Sequence, residues 1–112
     1  MDVRTFADEL LRSLSNIESF ERVALQTEGP VVSGYAYFDE NNFFLRFYFN
    51  EVTGTIAFAL VENQQRIWGI DYDNRRGWHL HPIEQPANHI QIDMLSISEI
   101  VVRLQRVLLS RK

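Results

Sequence analysis

Apolar residues at the start of the chain recur at three- and four-residue spacing: Val3, Phe6, Leu10, Leu14 and Ile17. At 3.6 residues per turn they share one stripe, so the spacing predicts an amphipathic helix. Asp2 or Thr5 is placed to cap its start by accepting a hydrogen bond from a free amide of the first turn, and Asn16 marks its stop. From Phe20 to Tyr72 the period changes to two. Strands are predicted over 22–28, 31–38, 43–49, 55–61 and 66–72, broken at Gly29-Pro30, Asp39-Glu40-Asn41-Asn42, Glu51–Gly54 and Glu62–Gln65. Alternation puts Phe43, Leu45, Phe47 and Phe49 opposite Phe44, Arg46 and Tyr48, and Ile56, Phe58 and Leu60 opposite Thr55, Ala57 and Ala59. Trp68, Ile70 and Tyr72 share a face of the fifth strand.

The rest of the chain divides in two. Residues 73–93 contain Gly77, Pro82, Pro86 and all three His, and read as a long irregular segment shortened by a strand at Trp78–His81. Ser96-Ile97-Ser98-Glu99 is a capping box, and Ile97, Ile100, Val101, Leu104, Val107 and Leu108 form the stripe of a final helix. Arg103, Arg106, Arg111 and Lys112 sit late in that helix, where they complement its dipole. Hairpin-length loops make sequential strands antiparallel neighbours. The expectation is therefore a single α+β domain over residues 1–112: an antiparallel meander of about five strands, with the N-terminal and C-terminal helices packed on one face. The other face carries Tyr35, Tyr37, Phe44 and Tyr48 and is expected to be covered by the 73–93 segment or by a second copy.

Composition narrows the classes. With 112 residues, 46% hydrophobic and 23% charged, the chain has the make-up of a folded domain. A net charge of −4 argues against broad, non-specific nucleic-acid binding, although it leaves room for a local basic patch. Ten of the eleven basic residues are Arg, which suits planar recognition of carboxylate or phosphate. The absence of Cys removes disulfides, thiolate metal sites and thiol nucleophiles. No run approaches the ~18 apolar residues of a membrane span; no membrane association and a cytoplasmic location are expected.

Chemistry concentrates in Asp71-Tyr72-Asp73-Asn74-Arg75-Arg76-Gly77-Trp78-His79-Leu80-His81-Pro82, followed by Asn88-His89. On an extended Trp78–His81 segment, His79 and His81 point to the same face. Cleaving RNA through its 2′-hydroxyl needs a base, an acid and a cation on the phosphate. His79 and His81 supply base and acid in either order, Arg75 and Arg76 hold the phosphate, and Trp78 or Tyr72 stacks on a base of a single strand. The same histidines with Asp71 or Asp73 would make a nitrogen–oxygen metal set suited to zinc, iron or manganese. A His-x-His pair recurs often by chance, however. The plainer account has one imidazole bonded to a backbone carbonyl near a turn and the others exposed. It is preferred here, so no metal and no cofactor are expected.

The Tyr72-Asp73-Asn74 turn, His79-Leu80-His81-Pro82, Asn88-His89-Ile90 and the capped C-terminal helix resemble the TumE family of toxins of prokaryotic toxin–antitoxin modules, over roughly residues 31–109. The resemblance implies a toxin-like protein held by a cognate antitoxin and interfering with RNA. It implies functional roles for Asp73, Asn74, His79, His81 and His89. The chain departs from the family pattern in its long aromatic meander and its acidic balance. Together, residues and resemblance give the expectation of a metal-independent endoribonuclease. Its catalytic residues are His79, His81, Asp73, Arg75 and Arg76, and its RNA contacts Tyr72, Asn74, Trp78 and His89. From a different class, the alternative is a non-enzymatic interaction module that uses the aromatic sheet face to bind a partner or form a homodimer.

Overall fold

The computed structural model describes residues 1–38 and 43–110. The expected turn at Asp39–Asn42, and Arg111 and Lys112, lie outside these. Helix α1 spans Val3–Leu14. Strands follow at Phe20–Glu28 (β1), Val31–Phe38 (β2), Phe43–Asn50 (β3), Ile56–Glu62 (β4), Gln65–Asp73 (β5), Gly77–His81 (β6) and Ile90–Gln91 (β7), and α2 spans Ile97–Ser110. The strands form one antiparallel sheet in sequence order. The expected α+β meander is therefore the fold. Two strands extend it beyond five: β6, at the anticipated Trp78–His81, and the two-residue β7, which has no period long enough to read.

Both helices lie against one face of the sheet. The Asp2 carboxylate caps α1, accepting from the Thr5 amide at 2.8 Å. The capping box at α2 is complete, the Glu99 amide donating to Ser96 Oγ at 3.2 Å and the Ser96 amide to Glu99 Oε1 at 2.9 Å. Phe6, Leu10, Leu14, Ile97, Ile100 and Leu104 meet Leu45, Phe47, Phe58, Leu60 and Ile70 in a single core. Each such side chain contributes about 1.5–3 kcal/mol by leaving water. Phe6 stacks on Phe49 with centroids 4.8 Å apart and planes at 8°, which fixes where α1 docks.

The other face carries no helix. Its side chains run in two rows across five strands: Tyr35, Arg46, Ala59, Gly69 and His81 in one, Ser33, Tyr48, Ala57, Asp71 and His79 in the next. A small residue occupies the middle of each row, so the centre is hollow and the flanks are polar or aromatic.

Candidate functional site

The hairpin joining β5 to β6 builds the site. Asp73 closes it as a turn residue, its Oδ1 accepting from the amides of Arg75 and Arg76 at 2.9 and 2.8 Å and its Oδ2 from Arg76 Nε at 3.2 Å. The Arg76 amide is the main cause holding this carboxyl below its usual range, with the Arg75 amide and the Arg76 guanidinium adding to it. Gly77 completes the turn at φ 70°, a left-handed conformation that favours glycine. The register that follows pairs Asp71 with His79 and Gly69 with His81, which puts Asp71 and both imidazoles on the helix-free face.

The segment after β6 folds back and adds the third histidine. The ring centroids of His81 and His89 are 4.5 Å apart, those of His79 and His89 5.3 Å, and those of His79 and His81 5.2 Å. His79 and His81 are only 3% and 1% exposed, whereas His89 is exposed. Asp71 Oδ2 lies 3.1 Å from His81 Nε2 and 3.4 Å from His79 Nε2. His79 Nδ1 donates to the Gly77 carbonyl at 3.2 Å. His81 Nδ1 lies 3.0 Å from the Pro86 carbonyl and 3.1 Å from Arg66 Nη2. One nitrogen cannot donate to the first and accept from the second, so the two contacts belong to different tautomers. Burial is the first cause holding His81 below the usual histidine range and the Arg66 guanidinium the next, opposed by the Pro86 carbonyl and Asp71.

Arg66 reaches this face through a bulge. Leu60 pairs with Trp68 but Val61 pairs with Arg66, so Ile67 is an extra residue and Arg66 turns to the side opposite Trp68. Gly69 leaves room for it: a Cβ there would sit 3.4 Å from Arg66 Cδ and 3.7 Å from His81 Cδ2. Beside the cluster is a cavity of about 260 Å³ lined by Tyr35, Arg46, Tyr48, Ala59, Arg66 and Asp71, among others. Arg46 is exposed and forms no ion pair among the described residues.

The chain matches no protein-family model, no curated protein and no solved structure. Fold, geometry and residue chemistry are therefore what bear on its function.

The sequence-predicted residues divide into three groups. His79, His81 and His89 converge, with Arg76 Nη1 3.4 Å from His89 Nε2. Asp73, Asn74 and Arg75 stand at the hairpin tip, where Asp73 is occupied by the turn and Asn74 Oδ1 accepts from the Tyr72 hydroxyl at 3.4 Å. Tyr72 and Trp78 pack together, centroids 5.3 Å apart, on the helix side of the sheet. One-residue alternation separates them from His79 and Asp71, so they do not form one groove with the histidines. Sequence reasoning gave Asp71 only a minor part and passed over Arg46 and Arg66. Alternation along β3 is a signal for Arg46, but a bulge has no signal of that kind. No helix among the described residues is long and apolar enough to cross a membrane.

Proposed function

We propose that the protein acts on single-stranded RNA, holding it along the helix-free sheet face and cutting it where the cavity meets the histidine cluster. The observation that carries this reading is the juxtaposition, on one open face, of an exposed Arg46, two tyrosines and the Asp71–His79–His81–His89 group. Arg46 supplies charge-assisted hydrogen bonds to a phosphate. Tyr35, 40% exposed, and Tyr48 offer ring faces on which bases stack whatever their sequence. His89 is the exposed imidazole, with the Arg76 guanidinium beside it, and exchanges a proton with the reacting oxygens. His79 and His81 are too buried to touch a substrate and act from behind it with Asp71. The toxin-like role and an antitoxin partner rest on the resemblance at residues 72–74, 79–82 and 88–90.

The test is cleavage of end-labelled single-stranded RNA by purified protein. His89→Ala is expected to lower the rate by about 10²–10⁴. Arg46→Ala is expected to weaken RNA binding by about tenfold or more, the worth of one charge-assisted contact. A well-folded protein that neither binds nor cuts RNA overturns the reading.

One observation favours a second reading, the interaction module. Tyr35, Tyr37 and Phe44 contact one another on the same open face, with Tyr35 edge-on to Phe44 at 5.4 Å. Such a cluster suits a protein partner or a second copy.

A further inference from the structure

We infer that His79, His81, His89 and Asp71 form a binding site for one divalent first-row transition cation. Two independent observations lead there.

The first is spacing. One ring nitrogen from each of the three histidines lies within 4.8 Å of the others. A tetrahedral zinc with bonds of about 2.0–2.1 Å to nitrogen holds its ligand atoms about 3.4 Å apart. Asp71 Oδ2, at 3.1 and 3.4 Å from the two Nε2 atoms, already has the separations of ligands sharing a metal. His89 is exposed and carried on the loop after β6, so a small shift or a ring rotation closes the remaining gap.

The second is an unpartnered atom. His79 is almost fully buried, and its Nε2 has no hydrogen-bond partner. A carbonyl only accepts, so the Gly77 contact places a ring hydrogen on Nδ1 and, in the neutral ring, leaves a lone pair on Nε2, 3.4 Å from a carboxylate oxygen. A buried acceptor nitrogen this close to an acceptor oxygen is unfavourable unless a positive centre lies nearby. His81 differs in that its Nε2 hydrogen-bonds the same oxygen at 3.1 Å, and only in the tautomer that donates from Nδ1 to Pro86 does it too turn a lone pair to Asp71. A ligand imidazole typically has its second nitrogen held by a backbone carbonyl in this way, which fixes the tautomer and turns the free lone pair to the metal. Arg66 forms an ion pair with Asp71, its Nη1 3.7 Å from Oδ2 and beyond hydrogen-bond length, but this leaves His79 Nε2 still without a partner.

The bland account of a His-x-His pair, imidazoles bonded to carbonyls near turns, describes both Nδ1 atoms, and a hydrogen bond to Asp71 accounts for His81 Nε2, but His79 Nε2 is left without explanation. Three nitrogens and one carboxylate oxygen suit zinc, iron or manganese and do not suit calcium or magnesium, which take mainly oxygen. A resident cation here would take a ring nitrogen of His89, so in the loaded protein His89 would be a ligand rather than the proton-exchanging group of the metal-free RNA reading.

Among the described residues the site is also the only set of its kind. There are three His and no Cys in the sequence, and all three His are in the cluster. Tight transition-metal binding by the untagged protein therefore has to use it. The experiment is metal analysis of untagged protein as purified, followed by calorimetric titration of the chelator-stripped protein with Zn²⁺ and, separately, Mn²⁺. One equivalent per chain is expected. His89→Ala, which changes an exposed loop residue and spares the fold, is expected to weaken binding at least tenfold, as is Asp71→Asn. Arg46→Ala is expected to leave metal binding unchanged while impairing RNA binding, so this inference and the RNA reading fail separately. The inference is overturned if the folded, stripped protein shows no saturable uptake of either ion, or if His89→Ala and Asp71→Asn both bind as the parent does.

Discussion

At the scale of single residues, the site depends on positions with little or no chemistry of their own. Gly69 stands between Arg66 and His81, and a Cβ there would approach the Phe58 carbonyl to 2.8 Å. That neighbour is backbone and cannot swing aside as a flexible side chain would. Gly69→Ala is expected to destabilise the protein by about 1–3 kcal/mol through forced backbone movement, read from the midpoint of urea unfolding. It should also push Arg66 away from His81, which a change in the His81 ring signals in an NMR spectrum would report. Ile67 matters for a different reason. As the extra residue of the bulge it reverses the facing of Arg66, which simple alternation with Trp68 would have sent into the core. Arg46, by contrast, sits in regular alternation between Leu45 and Phe47, and its exposure on the open face follows from the sequence pattern.

Elements hold these residues in register. The β5–β6 hairpin is the decisive one, because its turn at Asp73–Gly77 sets which residue faces Asp71; a slip of one position would send both imidazoles to the helix side. The helices contribute stability rather than chemistry, and the capping box of α2 is the element-scale feature most open to test. Ser96→Ala removes the hydroxyl that accepts from the Glu99 amide and is expected to cost about 0.5–2 kcal/mol, measured by denaturant unfolding. Its partner Glu99 is held below its usual value of 4.5 chiefly by the Ser96 amide. A carboxyl depressed in the folded state contributes stability above its unfolded pKa and loses it as pH falls through the folded one. Glu99→Gln should therefore narrow the difference in stability between pH 6 and about pH 3. An unfolding profile as steep with acid as the parent's would show the box to be energetically idle.

For the whole molecule, the asymmetry of the sheet matters most. One face is buried under both helices; the other is open, hollow at its centre and lined with tyrosine, arginine and the histidine cluster. The Cα radius of gyration of 13.3 Å is that of a compact globule of this length, and both helices already cover the apolar face of the sheet. A monomer in light scattering at micromolar concentration is accordingly expected, with the open face free for RNA. A stable dimer that Tyr35→Ser with Phe44→Ser dissociates would instead assign that face to protein contact. The cluster of Tyr35, Tyr37 and Phe44 is partly covered within the chain already, since the Arg22 guanidinium lies 4.3 Å over the Tyr37 ring.

Periodicity determined the two helices, the alternating strands and the facing of most core residues, and hairpin-length loops determined the antiparallel order. These follow from local rules that each segment obeys without reference to the rest. Candidate chemistry was legible as a segment, because three His, adjacent Arg and two Asp fall within 71–89. Its arrangement was not. The turn that occupies Asp73, the separation of Tyr72 and Trp78 from the histidines, the bulge that delivers Arg66 and the fold-back that brings His89 to His81 all depend on pairings between distant residues. Those pairings are set by the register of neighbouring strands and by a loop packing across them, and only the tertiary structure decides them.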